Sequence, residues 1–255
     1  MKNAALIAAA LACFPFAGIG QPENPPPPPA GAPLPSPAPE SAPAPVPAFE
    51  FKISIDTSGA PELAEWCEKD LRPAMERWYR EFCLRFPTKG WKPPRLVRVR
   101  FRESMKVPGY AVRPGNVIVL NRRRFNKTKS IGCVMHELFH IVQQYRKTPA
   151  WITEAMADYA RNYVWSTKGC PMNTRNRRAR SKYGTGANFI AFVEQHHPGT
   201  AVKLNDVCRR GKYSEKNFWP EATGKTIDEL EKEWQQSSPP PAPKKRKVVK
   251  RAKRK

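Results

Sequence analysis

Acidic residues are scarce in this chain. Its 255 residues hold 22 Asp plus Glu against 45 Lys plus Arg, a formal net charge of +23. Histidine is rarer still, with four in all. Long apolar runs are missing too: the longest, at the N-terminus, reaches no further than Ile19 and is interrupted by Pro15. That is too short for a helix that must cross about 30 Å of hydrocarbon. No internal repeat is present, which excludes a solenoid. Basic clusters stand at Arg122-Arg123-Arg124 and from Arg175 to Arg180, but no aromatic residues are interleaved with them and no nucleic-acid-binding motif accompanies them. They read as a solvated basic surface, not as a sequence-specific nucleic-acid face. Cysteine is sparse at six, Cys13 included.

The two ends differ in composition from the middle. Lys2, the apolar run Ala4 to Leu11 and the small residues Gly18 and Gly20 before Gln21 make residues 1–20 a secretory signal peptide. Ala10-Leu11-Ala12-Cys13 is similar to a lipobox, which leaves a lipid anchor on Cys13 as a second route. Residues 21–48 form a linker with 13 prolines between 22 and 47, an extended spacer that cannot pack a core. Residues 238–255 form a Pro/Lys/Arg-rich tail, and nine of its last 12 residues, Lys244 to Lys255, are basic. Such a tail binds anionic polymers or lipid headgroups through charge alone. Export is expected to deliver the protein to the periplasm or the exterior. Secretion permits disulfides, but Cys67, Cys83, Cys133, Cys170 and Cys208 are odd in number, so one thiol stays free. Cys170 with Cys208 and Cys67 with Cys83 are both open as pairs.

Residues 49–237 remain as one domain, with 35 Lys plus Arg against 20 Asp plus Glu. Phe49 to Ile55 alternates like a half-buried strand, and Leu96 to Phe101 does so again. Val117 to Leu120 is a compact apolar strand after the turn signal Pro114-Gly115. Pro61 to Phe86 has a helical pattern, as does Tyr183 to Gln236 with breaks at Pro198-Gly199, Gly211 and Gly224. A loop is expected from Thr167 to Lys182. Strands first and helices later predict an α+β fold.

The decisive motif is His136-Glu137-Leu138-Phe139-His140, H-E-x-x-H, inside a predicted helix from Ile131 to Val142. Residues four apart share a helix face, so both imidazoles can reach one metal ion, and Glu137 can address a water on it. A short connection, Arg146 to Pro149, leads to a second helix, with Thr148 as its expected N-cap and Pro149 at its first position. Such a loop implies antiparallel packing. Glu154 and Asp158 then face the same way. Glu154 can complete a His136, His140, Glu154 ligand set for Zn2+ with one position left open, and Asp158 can hold the free ring N–H of a ligand histidine. Ala155, Ala157 and Ala160 suit a tightly packed helix. Cys133, three residues before His136, reads as a structural thiol, and His196 and His197 suit the end of a helix.

V-M-H-E-L-F-H-I-V-Q-Q-Y followed by W-I-T-E-A-M-A-D-Y-A-R resembles the plant basic secretory protein family and its bacterial relatives. That family in turn resembles gluzincin metallopeptidases, whose third zinc ligand is a Glu on the helix after H-E-x-x-H. The resemblance spans about Phe49 to Gln236 and includes Ser181-Lys182-Tyr183. It implies a zincin-like fold, with a small N-terminal sheet over the active helix and a helical C-terminal half. It also implies His136, His140 and Glu154 as ligands, Glu137 as general base and Asp158 as the carboxylate behind a ligand. Relatives usually carry Gly after the ligand Glu, where this chain has Ala155.

The expected activity is hydrolysis of peptide bonds by a zinc-activated water. Tyr183, which opens the helix after the metal-site pair, is the candidate oxyanion donor, with Tyr110 in reserve. The rival from another class is a secreted polyanion- or surface-binding protein with a non-catalytic metal site. Against it, a purely structural centre fills its fourth position and has no use for Glu137.

Overall fold

The computed structural model describes residues 49–113, 115–171 and 177–237. The expected signal peptide with Cys13, the Pro-rich linker, Pro114, residues 172–176 with Arg175 of the second basic cluster, and the tail from residue 238, Lys244 to Lys255 included, lie outside the described residues. The fold is mixed α+β and mostly helical, with one small sheet.

Four strands make the sheet: β1 (Lys52–Asp56), β2 (Leu96–Arg102), β3 (Gly109–Val112) and β4 (Val117–Asn121). Their order is β1-β2-β4-β3. β1 pairs parallel with β2 and β2 with β4, whereas β3 returns antiparallel along β4 as an edge strand. The alternation of β2 is as its sequence dictates: Val97, Val99 and Phe101 are buried, while Arg98, Arg100 and Arg102 are exposed. Along β2 one face therefore meets the core and the other meets water, whereas β4 buries both Ile118 and Val119, on opposite faces.

The predicted helix after β1 is a composite. A 3-10 turn (Pro61–Leu63) runs into α1 (Ala64–Trp66), a π-helical turn (Cys67–Leu71) and α2 (Arg72–Arg85). α2 buries Met75, Tyr79, Phe82 and Cys83, and Phe82 and Phe86 meet Phe139 edge-on. Two elements escaped the sequence reading, β3 and the short α3 (Arg122–Thr128), which Asn121 caps by accepting from the Arg124 amide. The arginine cluster at 122–124 sits on α3, where Arg122 and Arg123 pair with Glu62 and Glu103.

α4 (Ile131–Gln143) carries H-E-x-x-H beneath the sheet, and Ser130 caps it by accepting from the Cys133 amide. α5 (Ala150–Tyr159) follows after six residues instead of four. The cap lies one residue later than expected. Pro149, at φ −55° and ψ 139°, is still extended and is itself the N-cap, while the Thr148 hydroxyl turns back to the Arg146 carbonyl. A π-helical turn (Ala160–Trp165) prolongs α5, and α6 (Tyr183–His196), α7 (Thr200–Arg209), α8 (Glu215–Thr223) and α9 (Ile227–Gln236) complete the helical half. Their breaks fall where proline and glycine predicted. The five described cysteines are free thiols, so neither open pairing forms. Among the described residues no helix is long and apolar enough to cross a membrane.

α5 and α6 approach closely. A Cβ on Gly186 would lie 2.0 Å from the Ser181 carbonyl oxygen and 2.7 Å from the Ala155 Cβ. Only glycine fits there, and its missing side chain is the room that Ala155 uses. Ala155, Ala157 and Ala160 are all fully buried.

Candidate metal centre

His136 and His140 project from one face of α4, one turn apart, into a cleft of about 560 Å³. Their Nε2 atoms are 3.1 Å apart. Glu154 reaches them from α5, with Oε2 at 3.3 Å from the His136 Nε2 and 3.7 Å from the His140 Nε2. Each ring nitrogen on the far side has a partner. The His136 Nδ1–H donates to Asp158 Oδ1 at 2.6 Å, and the His140 Nδ1–H donates to Gln143 Oε1 at 2.8 Å. In a neutral imidazole the proton then sits on Nδ1 and leaves Nε2 as a bare lone pair. Two such lone pairs and a carboxylate oxygen converge with no proton between them. Only a cation relieves that repulsion.

The spacing fits a metal ion. Ligand bonds of about 2.0–2.2 Å in tetrahedral array put ligand atoms about 3.3–3.5 Å apart, and the three separations scatter around that value. The electrostatics agree. Burial pushes the His136 pKa down, yet the hydrogen bonds to Asp158 and Glu154 and the charge of Glu137 outweigh it and hold it at about 9. Without a metal a proton takes the cation's place. Burial pushes the Glu154 pKa up, but the two histidines prevail and it lies well below the usual carboxylate range.

Asp158 is buried, and besides accepting from His136 it forms an ion pair with Arg161, Oδ1 to Nη2 at 3.0 Å. Gln143 is fully buried and does two things: it accepts from His140, and its Nε2 donates to the Thr153 carbonyl at 2.8 Å. One side chain thus ties the second histidine to the residue preceding Glu154. Gln143 and Arg161 were missed in the sequence. Their signal was helical spacing, i+3 from His140 and i+3 from Asp158.

Glu137 points to the other side of the centre, toward β3. Burial raises its pKa, the two histidines lower it, and the Ala111 amide also stabilises its carboxylate. β3 comes so close that a Cβ on Gly109 would touch Leu120 Cδ2 at 3.1 Å and Glu137 Cγ at 3.5 Å. The Asn121 amide donates to the Pro108 carbonyl at 2.9 Å. Antiparallel pairs alternate in bonding, so Gly109 and Ala111 turn their backbone groups away from β4 and into the cleft.

Tyr183 is brought to the site as well. Its ring lies 6.2 Å from that of His136 at an interplanar angle of 29°, and it is 54% exposed, not a core tyrosine. Its φ of +56° lies in the left-handed region, unusual for a residue with a side chain. The charge of Glu154 is the main cause raising its pKa, so the phenol keeps its proton. Tyr110 and Cys133 also line the cleft, and Cys133 is a partly buried free thiol outside the His136, His140, Glu154 group. His196 bonds the Phe192 carbonyl through Nδ1 at 2.8 Å at the end of α6. It has no part in the His136, His140, Glu154 group.

Residues 111–234 match the family described as BSP, peptidase of plants and bacteria. No curated protein and no solved structure matches the chain. The matched segment runs from the end of β3 through α9 and contains the three converging residues, Glu137, Asp158 and Tyr183. Through residues 111–234, the chain matches the basic secretory protein family.

Proposed function

We propose that this protein is a secreted zinc-dependent metallopeptidase. The observation that carries the reading is the convergence of His136, His140 and Glu154 beside a carboxylate, Glu137, that joins none of them and faces open cleft. Zinc, when bound there, supplies the Lewis acidity that makes water a nucleophile near neutral pH and polarises a carbonyl. Asp158 and Gln143 keep both histidines in the ligating tautomer. Glu137 accepts a proton from the attacking water. The new C–O bond forms, the C–N bond breaks, and Glu137 delivers that proton to the departing amine. The raised pKa of Glu137 suits both steps. Tyr183, protonated and beside His136, donates to the oxygen on which charge develops.

The substrate lies along β3. The backbone groups that Gly109 and Ala111 turn away from β4 offer an edge to which an extended peptide adds as a further strand, with the Ala111 amide shared with Glu137. Antiparallel pairing, the more stable arrangement, sets its direction opposite to β3. Lys2 and the apolar stretch Ala4 to Leu11 support export. Lys244 to Lys255 supply a charge anchor for anionic polymers or lipid headgroups.

The test is metal analysis with a peptide-library digest of wild type and Glu137→Gln. Both proteins should carry about one zinc per chain, and only wild type should cut. Equal cleavage by the variant refutes the mechanism. Absence of cleavage by either protein refutes the peptidase reading and favours a non-catalytic metal site in a surface-binding protein.

A further inference from the structure

The cleft has two ends, and each carries an arginine. β3 and α4 run alongside one another in the same direction. Gly109 lies beside Glu137 at mid-helix, and Arg113, just past β3, senses Tyr145, just past α4. At the opposite end Arg161 lies against the first turn of α4, where a Cβ on Gly132 would meet its Cδ at 3.9 Å. The two guanidinium groups are not equivalent. Arg161 is engaged by Asp158. Arg113 lines the same cleft, and among the described residues its side chain has no hydrogen bond and no ion pair. Its one electrostatic neighbour is the Tyr145 phenol, which burial pushes well above its ordinary pKa, so it is neutral. Although Arg113 is open to solvent, the surrounding protein still desolvates it enough to lower its pKa. A cation placed this way gains from an anion that the protein itself does not supply.

The position converts into substrate chemistry. Along an edge strand, residues 109, 111 and 113 present the same side of the backbone, with about 3.3 Å of rise per residue. Glu137 and the ligand set lie opposite Gly109 and Ala111, so Arg113 stands about two or three residues beyond the reacting bond. A peptide antiparallel to β3 enters from the Arg113 end with its N-terminal part. Resting on the peptidase reading, we propose that the cleft selects peptides with an acidic side chain about two or three residues N-terminal to the bond cut, and that Arg113 is the residue that reads it.

The experiment uses the zinc-loaded protein and quenched fluorescent peptides that differ only at those two positions, carrying Glu, Gln or Lys. Wild type should prefer Glu over Gln by about 5- to 10-fold in kcat/KM, with most of the difference in KM, and Glu over Lys by more. The preference should shrink when salt is raised from about 0.05 to 0.5 M. Arg113→Gln should bring the Glu-to-Gln ratio to about one, and Arg113→Glu should favour Lys. An unchanged Glu-to-Gln ratio in Arg113→Gln overturns the inference. A parallel arm measures binding of the same peptides by fluorescence anisotropy to Glu137→Gln and to Glu137→Gln/Arg113→Gln. If no peptide is cut but the acidic one binds Glu137→Gln more tightly in an Arg113-dependent way, the peptidase reading fails and the acidic selectivity stands. If neither cleavage nor binding discriminates Glu from Gln, the selectivity is refuted whatever the activity.

Discussion

Removing the Gln143 side chain tests whether the two helices of the centre are coupled as their contacts imply. Gln143 makes two buried hydrogen bonds of 2.8 Å, one fixing His140 and one reaching the Thr153 carbonyl just before Glu154. Gln143→Leu deletes both and leaves the His140 Nδ1–H without an acceptor. An unsatisfied buried donor costs about 1–3 kcal/mol. It also frees the proton to move to Nε2, which abolishes the ligand lone pair. Loss of such a supporting group weakens metal binding about 10–100-fold, or about 1.4–2.8 kcal/mol. Gln143→Glu separates the two bonds. Its carboxylate still accepts from His140, as Asp158 does for His136, but presents oxygen to the Thr153 carbonyl. It should hold zinc within about threefold of wild type while losing about 1–2 kcal/mol of stability. The assay is competition against a chromophoric chelator, at a temperature where circular dichroism shows each variant folded. Wild-type affinity in folded Gln143→Leu would refute the coupling. Equal losses in Gln143→Leu and Gln143→Glu would place the whole effect on the Thr153 contact.

Three other outcomes follow from the same geometry. Arg209 is buried and donates to the carbonyls of Phe86, Val142 and Gln143, closing the C-terminus of α4, with its guanidinium 3.8 Å from the Trp91 ring centre. Arg209→Met should therefore cost about 3 kcal/mol or more in urea unfolding, and a loss under about 1 kcal/mol would show those bonds to be weak. The His136 pKa, pushed down by burial but carried to about 9 by Asp158 and Glu154, exceeds its ordinary 6.5. In the metal-free protein its stabilisation is fully present below about 6.5 and lost as pH rises through about 9. The same proton competes with the metal, so zinc affinity should climb by up to about tenfold per pH unit across that window, and a flat profile by competition titration would contradict the assignment. Burial pushes the thiols of Cys83 and Cys208 up to about 12 and that of Cys67 to about 11. Native protein should resist alkylation at these three positions until denatured, as mass spectrometry reads directly, and rapid native labelling of Cys83 would refute its burial.

What was legible in the sequence is what depends on local periodicity. H-E-x-x-H needs only a helix to bring its histidines to one face, and the apolar run from Ile131 dictates that helix. The step to Glu154 needs only a short connection and a second helix, so an error of two residues in the loop did no harm. β2 was readable for the same reason, because its alternation survives as alternating burial. β3 was not. Its four residues are all partly buried with no alternation, and it is a strand because β4 pairs with it. The wall of the cleft opposite Glu137 was therefore invisible, and Arg113 with it.

The other unread features are set by contacts between helices. Gln143 is one more polar residue at a helix end until α5 packs against α4 and brings the Thr153 carbonyl to its amide. Ala155 reads as a helix-favouring residue, yet its tolerance is decided 31 positions along the chain, where Gly186 leaves the space. Tyr183 makes the point most sharply. Its place at the start of α6 follows from the sequence, but a residue there with ordinary helical dihedrals would aim its ring elsewhere. The left-handed φ of +56° turns the phenol over His136, at a strain of about 1–2 kcal/mol that the surrounding packing must offset. On the proposed peptidase reading, the conformation of Tyr183 is a second observation in favour of catalysis, beside the three converging residues.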